Sequence, residues 1–158
     1  MKVDLKLDKN LFVPHLKSDS CDDTILQLAT RLYENGYVKK DYIEAIRSRE
    51  KEYPTGLPST EPAVAIPHAD YTKVNETTVA VATLKKPVDF HDMEDVKKTI
   101  PIQIVIMLAI GEPHGQVEML QRVVGIIQDE DLRKELLKVN SQEELMKLIE
   151  PSLLGILN

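Results

Sequence analysis

In the stretch Ala65-Ile66-Pro67-His68-Ala69-Asp70, a histidine directly follows the proline that stops a short apolar run. A histidine held there stands at the end of a strand, where α/β proteins place their ligand sites. Proline fixes its own φ and gives up a backbone donor, so the imidazole is carried on a stiff mount. With an unperturbed pKa of about 6.5, much of an imidazole is unprotonated near neutral pH and is a fair nucleophile. Attack on a phosphoryl group needs that neutral form, and a neighbouring carboxylate or carbonyl to hold the tautomer. A capping or core-edge histidine shows the same dipeptide, so Pro67-His68 alone does not separate the two readings.

Three other histidines compete for a role. His114, in Glu112-Pro113-His114-Gly115, sits between an apolar run and a helical pattern, a position suited to anions. His15, between Pro14 and Leu16, reads as part of an N-terminal packing segment, and His91, in Asp89-Phe90-His91-Asp92, as a solvent-facing residue of a polar connection. A metal hydrolase built on His68, Asp70, Glu112 and His114 lacks the helical His-x-x-x-His spacing and any cysteine cluster. Neither a Walker loop nor a G-x-G-x-x-G run occurs. No metal and no cofactor are therefore expected.

The elements that must position these residues follow from periodicity. Ser20 is an N-cap with Asp23 three residues on, and Ile25, Leu28, Ala29 and Leu32 continue at helical spacing until Asn35-Gly36. A second helix is expected from Asp41 to Glu50. The run from Tyr53 to Pro62 holds three prolines and a glycine and reads as a loop. Strands are expected over 63–66, 77–84 and 102–110, the last apolar at nearly every position, as in a strand covered on both faces. Val117, Leu120, Val123, Val124 and Ile127 mark an amphipathic helix opening near Val117. A short helix over 131–138 and a last one from the Ser141 cap to Pro151 complete the pattern. Helices before, between and after buried strands predict a single α/β domain over residues 1–158, with one mixed sheet flanked by helices on both faces.

Composition bounds the function. The chain has 158 residues, enough for one ordinary domain. A net charge of −6 argues against nucleic-acid binding, which needs clustered Lys and Arg, and suits docking on a basic protein partner. Cys21 is the single cysteine, which excludes an intrachain disulfide. The N-terminal Met1–Lys9 alternates charged and apolar residues and lacks the apolar core of a signal peptide. The longest apolar run, Ile104 to Ile110, is too short to cross a bilayer. A cytoplasmic location is expected.

Arg49-Glu50, the loop with Tyr53-Pro54-Thr55-Gly56-Leu57, and Val64-Ala65-Ile66-Pro67-His68 together resemble the signature of the fructose/mannitol-type (type 2) IIA domains of the bacterial sugar phosphotransferase system. The Pro54-Thr55-Gly56-Leu57-Pro58 wording is most similar to the galactitol-type branch. The resemblance implies a mannitol IIA-like fold and a phosphoryl carrier that accepts phosphate from the carrier HPr on His68. The group then goes to a cysteine of a IIB component, for uptake of a sugar or sugar alcohol, galactitol by the loop. Contact with the membrane IIC permease would be indirect. The resemblance also implies Nε2 as the phosphorylated nitrogen and assigns Arg49 to balancing charge at the phosphohistidine, since a guanidinium forks onto phosphoryl oxygens. Counting back from Asp129-Glu130-Asp131, the family's second histidine falls on Gln116, while His114 lies two residues earlier. His114 is expected to be the second active-site group, assisted by Gln116, with Gly115 supplying a bend. Domains of this kind also serve as phosphorylation-dependent regulators that feed no transporter, and this is the alternative reading.

Overall fold

The computed structural model describes residues 5–155, so the first four residues of the N-terminal alternation lie outside it. Five strands form one mixed sheet: β1 (Phe12–Leu16), β2 (Gly56–Leu57), β3 (Ala63–Ala65), β4 (Thr78–His91) and β5 (Thr99–Ala109). Their order is β1-β4-β5-β3-β2. β1 runs parallel to β4 and β3 parallel to β5, while β4–β5 and β2–β3 are antiparallel. Residues 78–84 of β4 and 104–109 of β5 are buried at consecutive positions. Because successive side chains in a strand point to opposite faces, both faces of the sheet are covered.

Five helices supply the cover: α1 (Cys21–Glu34), α2 (Asp41–Glu52), α3 (Gly115–Ile127), α4 (Glu130–Leu136) and α5 (Gln142–Leu153). α1 packs on α2 and β4, and α5 packs on β1, α3 and α4. The signals read for α1 are realised atom by atom. Ser20 Oγ accepts the Asp23 N–H at 3.0 Å. At the other end the Gly36 and Tyr37 N–H groups bond the Tyr33 and Leu32 carbonyls, each at 3.0 Å, with Gly36 at φ +84°. That is the left-handed helix stop glycine makes at least cost. No helix among the described residues is long and apolar enough to cross a membrane.

Several boundaries differ from the expected ones. β1, including His15, is a strand although Pro14 interrupts it; as an edge strand it can lack a donor. His15 sits at φ +54° where the pairing of β1 with β4 slips, and its backbone N–H donates to Thr83 Oγ1 at 2.8 Å. The expected loop over 53–62 contains β2, a two-residue edge strand that pairs with Ala65 and Val64. β4 runs on past Pro87 to His91, with a register shift between Thr83 and Val88. His91 is thus a strand end rather than part of a connection; it is exposed, and its Nδ1–H donates to the Val96 carbonyl at 2.8 Å. α5 continues through Pro151, which cannot donate to the Lys147 carbonyl, and ends two residues later at Leu153.

Arg133, only 2% exposed, ties α4 to the chain entering β3. Its guanidinium donates to the carbonyls of Thr60, Pro62 (2.8 Å) and Ile126 (3.2 Å), and to Thr60 Oγ1 (3.1 Å). Replacement by an apolar chain of similar length removes the guanidinium donors from the Thr60 and Pro62 carbonyls, while the Ile126 carbonyl keeps the Asp129 N–H at 3.1 Å. Arg133→Met is expected to cost about 2–4 kcal/mol, since each orphaned buried acceptor costs about 1–3. Urea denaturation with an unchanged m-value is the check; a loss below about 0.5 kcal/mol would show that water replaces the guanidinium.

Candidate functional site

His68 stands just beyond β3, and its neighbours are pinned one by one. The Ile66 N–H donates to the Thr55 carbonyl at 3.1 Å, and the Leu108 N–H of β5 to the Pro67 carbonyl at 2.9 Å. Gln116 Nε2–H donates to the Ala69 carbonyl at 3.1 Å. The half-buried imidazole closes the set by donating Nδ1–H to the Ile66 carbonyl at 2.9 Å. A carbonyl only accepts, so the proton sits on Nδ1, and in the neutral ring the lone pair is on Nε2.

The surroundings favour the neutral ring. Burial lowers the His68 pKa below its ordinary value, and the Arg49 charge pushes the same way, against the Ile66 carbonyl, which favours imidazolium. Arg49 lies in the last turn of α2 and is exposed. Its guanidinium carbon is 5.2 Å from the centre of the Tyr53 ring, a cation–π contact that restricts a long side chain. Glu50, next along α2, points the other way and is buried; Thr55 N–H and Oγ1–H donate to its two carboxylate oxygens at 2.8 and 2.7 Å.

Arg49 and His68 are shared by two concavities. One, of about 250 Å³, is also lined by Asp70, Tyr71, Glu112 and Gln116. The other, of about 300 Å³, is walled by Tyr53, Pro54, Met93, Val96 and Leu120 beside the same pair. Both are at or below the smallest volumes usual for drug-sized ligands, about 300–1,000 Å³. They suit a small anion approached by another protein better than an enclosed organic substrate.

Of the four residues singled out in the sequence, the structure brings His68, Arg49 and Gln116 together and leaves His114 aside. α3 opens at Gly115, not near Val117, so Gly115 is a helical residue rather than a bend and Gln116 lies inside the first turn. His114 is the exposed N-cap residue, makes no side-chain capping bond and is not among the residues lining the concavity. The sequence places Tyr53 and Thr55 in the signature loop without giving either a role at the site. The signal for Tyr53 was its place four residues after Arg49, the spacing of helical neighbours. Among the described residues no three His, Cys, Asp or Glu side chains are grouped to hold a metal ion.

One consequence is measurable directly. In an NMR titration the His68 ring is expected to protonate below the usual histidine range. Arg49→Gln should raise that midpoint, because removing a nearby positive charge makes imidazolium less costly. A midpoint that does not move would place the guanidinium outside electrostatic reach of the ring.

Comparison with known proteins accords with this geometry. The chain is 28% identical over 153 residues to the fructose-specific EIIABC component of the phosphotransferase system of Bacillus subtilis, covering 94% of this chain and 23% of that protein. It is 24% identical over 110 residues to the galactitol-specific EIIA component of Escherichia coli K12, covering 70% of this chain and 73% of the other. Thus the chain spans less than a quarter of the fructose component. The crystal structure of IIA mannitol from Escherichia coli has the same fold, with a TM-score of 0.74 at 23% identity over 91% of this chain and 99% of that one. The profile of the phosphoenolpyruvate-dependent sugar phosphotransferase system EIIA 2 family matches residues 6–152, and the chain belongs to that family.

Proposed function

We propose that this chain carries a phosphoryl group on His68 Nε2, taking it from phospho-HPr and passing it to a cysteine of a IIB component. The observation that carries the reading is the Nδ1–H bond to the Ile66 carbonyl, which leaves the Nε2 lone pair for attack beside Arg49. In the forward step Nε2 attacks phosphorus, a new N–P bond forms, and the N–P bond to the donor's histidine breaks, its electrons returning to that ring. Nδ1 of His68 keeps its proton throughout, because the carbonyl continues to accept it. In the onward step a cysteine thiolate attacks the same phosphorus and the electrons of the N–P bond return to Nε2 as a lone pair.

The surroundings support a group that is held and then released. Arg49 offers a forked pair of donors to phosphoryl oxygens, and Gln116 offers an amide donor from the first turn of α3, where unpaired backbone N–H groups favour anions. Asp70 and Glu112 line the same concavity and oppose a permanent negative charge there, which suits a relay. The apolar wall of Tyr53, Met93, Val96 and Leu120 supplies contact area for a docking protein. The site of action in this reading is the cytoplasm, and the membrane IIC permease is reached only through the IIB component. The Pro54-Thr55-Gly56-Leu57-Pro58 wording supports galactitol as the sugar.

Incubation with labelled phosphoenolpyruvate, enzyme I and HPr tests the donor half. His68→Gln is expected to fold and to take no label, and the label on the natural chain to be acid-labile and base-stable; full labelling of His68→Gln would overturn the assignment. Adding candidate IIB domains tests the other half, since a transporter component passes label onward and a regulator keeps it.

In single-turnover transfer, Gln116→Ala should slow the reaction by about 10²-fold, the usual cost of a lost donor to developing charge, and His114→Ala by no more than about twofold. The reverse ranking would show that His114 swings into the concavity when the phosphoryl group arrives.

A further inference from the structure

Glu50 lies one residue from Arg49 but takes no part in the concavities around His68. It is 7% exposed, and Thr55, which satisfies both its oxygens, is 2% exposed. Burial raises the Glu50 carboxyl to about 7, against the opposing pull of the two Thr55 donors. A carboxylate in such a place is costly unless its bonds serve something. A neighbouring cavity of about 150 Å³ is lined by Glu50, Cys21, Ile25, Arg47, Lys51 and His91. Each carboxylate oxygen accepts a bond from Thr55, which ties Glu50 to the chain entering β2.

The bonds lead to the imidazole. The Thr55 carbonyl accepts the Ile66 N–H at 3.1 Å, and the Ile66 carbonyl accepts His68 Nδ1–H at 2.9 Å. The next residue, Gly56, is wedged between strands: it pairs with Ala65, bridges Asp92, and its carbonyl accepts the Met93 N–H at 2.9 Å. A Cβ on Gly56 would lie 2.7 Å from the His91 carbonyl oxygen, so the approach is as close as backbone allows. β2 is therefore gripped sideways by Gly56 and at its entry by Glu50. The Thr55 N–H and C=O belong to different peptide groups, as do those of Ile66, so the chain of bonds acts by placement and not by relayed polarisation.

We propose that Glu50 is a positioning residue for phosphoryl transfer: by anchoring Thr55 it fixes Ile66, whose carbonyl holds His68 in the tautomer that leaves Nε2 free. This rests on His68 being the phosphoryl acceptor. Glu50 touches neither the donor nor the phosphoryl group. Its removal changes the orientation and protonation site of a ring two residues beyond Ile66.

The readout is the tautomer of His68, followed by ¹⁵N-edited NMR of the imidazole at a pH where the ring is neutral, together with single-turnover transfer from phospho-HPr. The natural chain should show Nδ1–H alone. Glu50→Ala should give a mixture of Nδ1–H and Nε2–H rings and transfer slowed by about 10–100-fold, the scale of a misplaced reacting group. Glu50→Gln still accepts from the Thr55 N–H and can donate to Thr55 Oγ1, so it should keep the natural tautomer and most of the rate. Thr55→Val, which removes one of the two bonds and keeps the side-chain shape, guards against an alanine variant that fails to fold; it should shift the tautomer in the same direction by less. A single Nδ1–H form in every variant that folds would overturn the proposal, whatever the rates. If the natural chain takes no label at His68, the carrier reading fails, while the tautomer measurement still decides what Glu50 does.

Discussion

The bond from His68 Nδ1 to the Ile66 carbonyl decides what the imidazole can do. A histidine with a free ring divides its proton between two nitrogens and rotates, and each departure lowers the fraction poised to attack. Here one nitrogen is committed to an acceptor two residues away, on the same rigid Ile-Pro-His segment. The rest of the fold can be understood as what keeps that carbonyl still. β3 lies next to β5 inside the sheet, and Pro67 continues the pairing with Leu108 after the regular strand has ended.

That constraint explains the sheet order. A three-residue strand such as β3 is too short to be fixed by its own pairing, and a solvent-exposed edge would leave it free to fray. Placing β2 beyond it covers its outer edge, and placing the long β5 on its inner side ties it to a buried element. Arg133 holds the entry to β3 from the α4 side by donating to the Thr60 and Pro62 carbonyls. Entry, both edges and exit of the histidine-bearing segment are thus all bonded.

Charge at the site is arranged for transit rather than storage. Burial and Arg49 both favour the uncharged ring, which in the proposed relay spares a separate base to remove a proton. The guanidinium that hinders ring protonation lines the same concavity as the ring and, in the proposed relay, would meet the phosphoryl oxygens. In the proposed relay, the two carboxylates lining the concavity and the net charge of −6 would oppose long residence of a phosphoryl group there.

The sequence by itself determined the local facts. Ser20, Asn35-Gly36 and Ser141 set helix ends because caps and left-handed stops depend on neighbours in the chain. The apolar run through Ile104–Ile110 marked a strand buried on both faces, and Arg49-Glu50 with Ala65-Ile66-Pro67-His68 marked the family. Tertiary structure decided what depends on distance through space. β2 exists only because Gly56 and Leu57 meet β3, and β1 tolerates Pro14 only as an edge strand. Gln116 rather than His114 lines the concavity, and α3 begins two residues earlier than its apolar periodicity suggested, which turns the intervening glycine into helix. The nitrogen left free on His68 and the carboxylate braced behind it were likewise beyond spacing rules, since the first follows from the Ile66 carbonyl and the second from the Thr55 N–H and hydroxyl, whose positions are set by packing. Patterning reports which face of an element is apolar; it carries no information on which backbone acceptor a side chain will find.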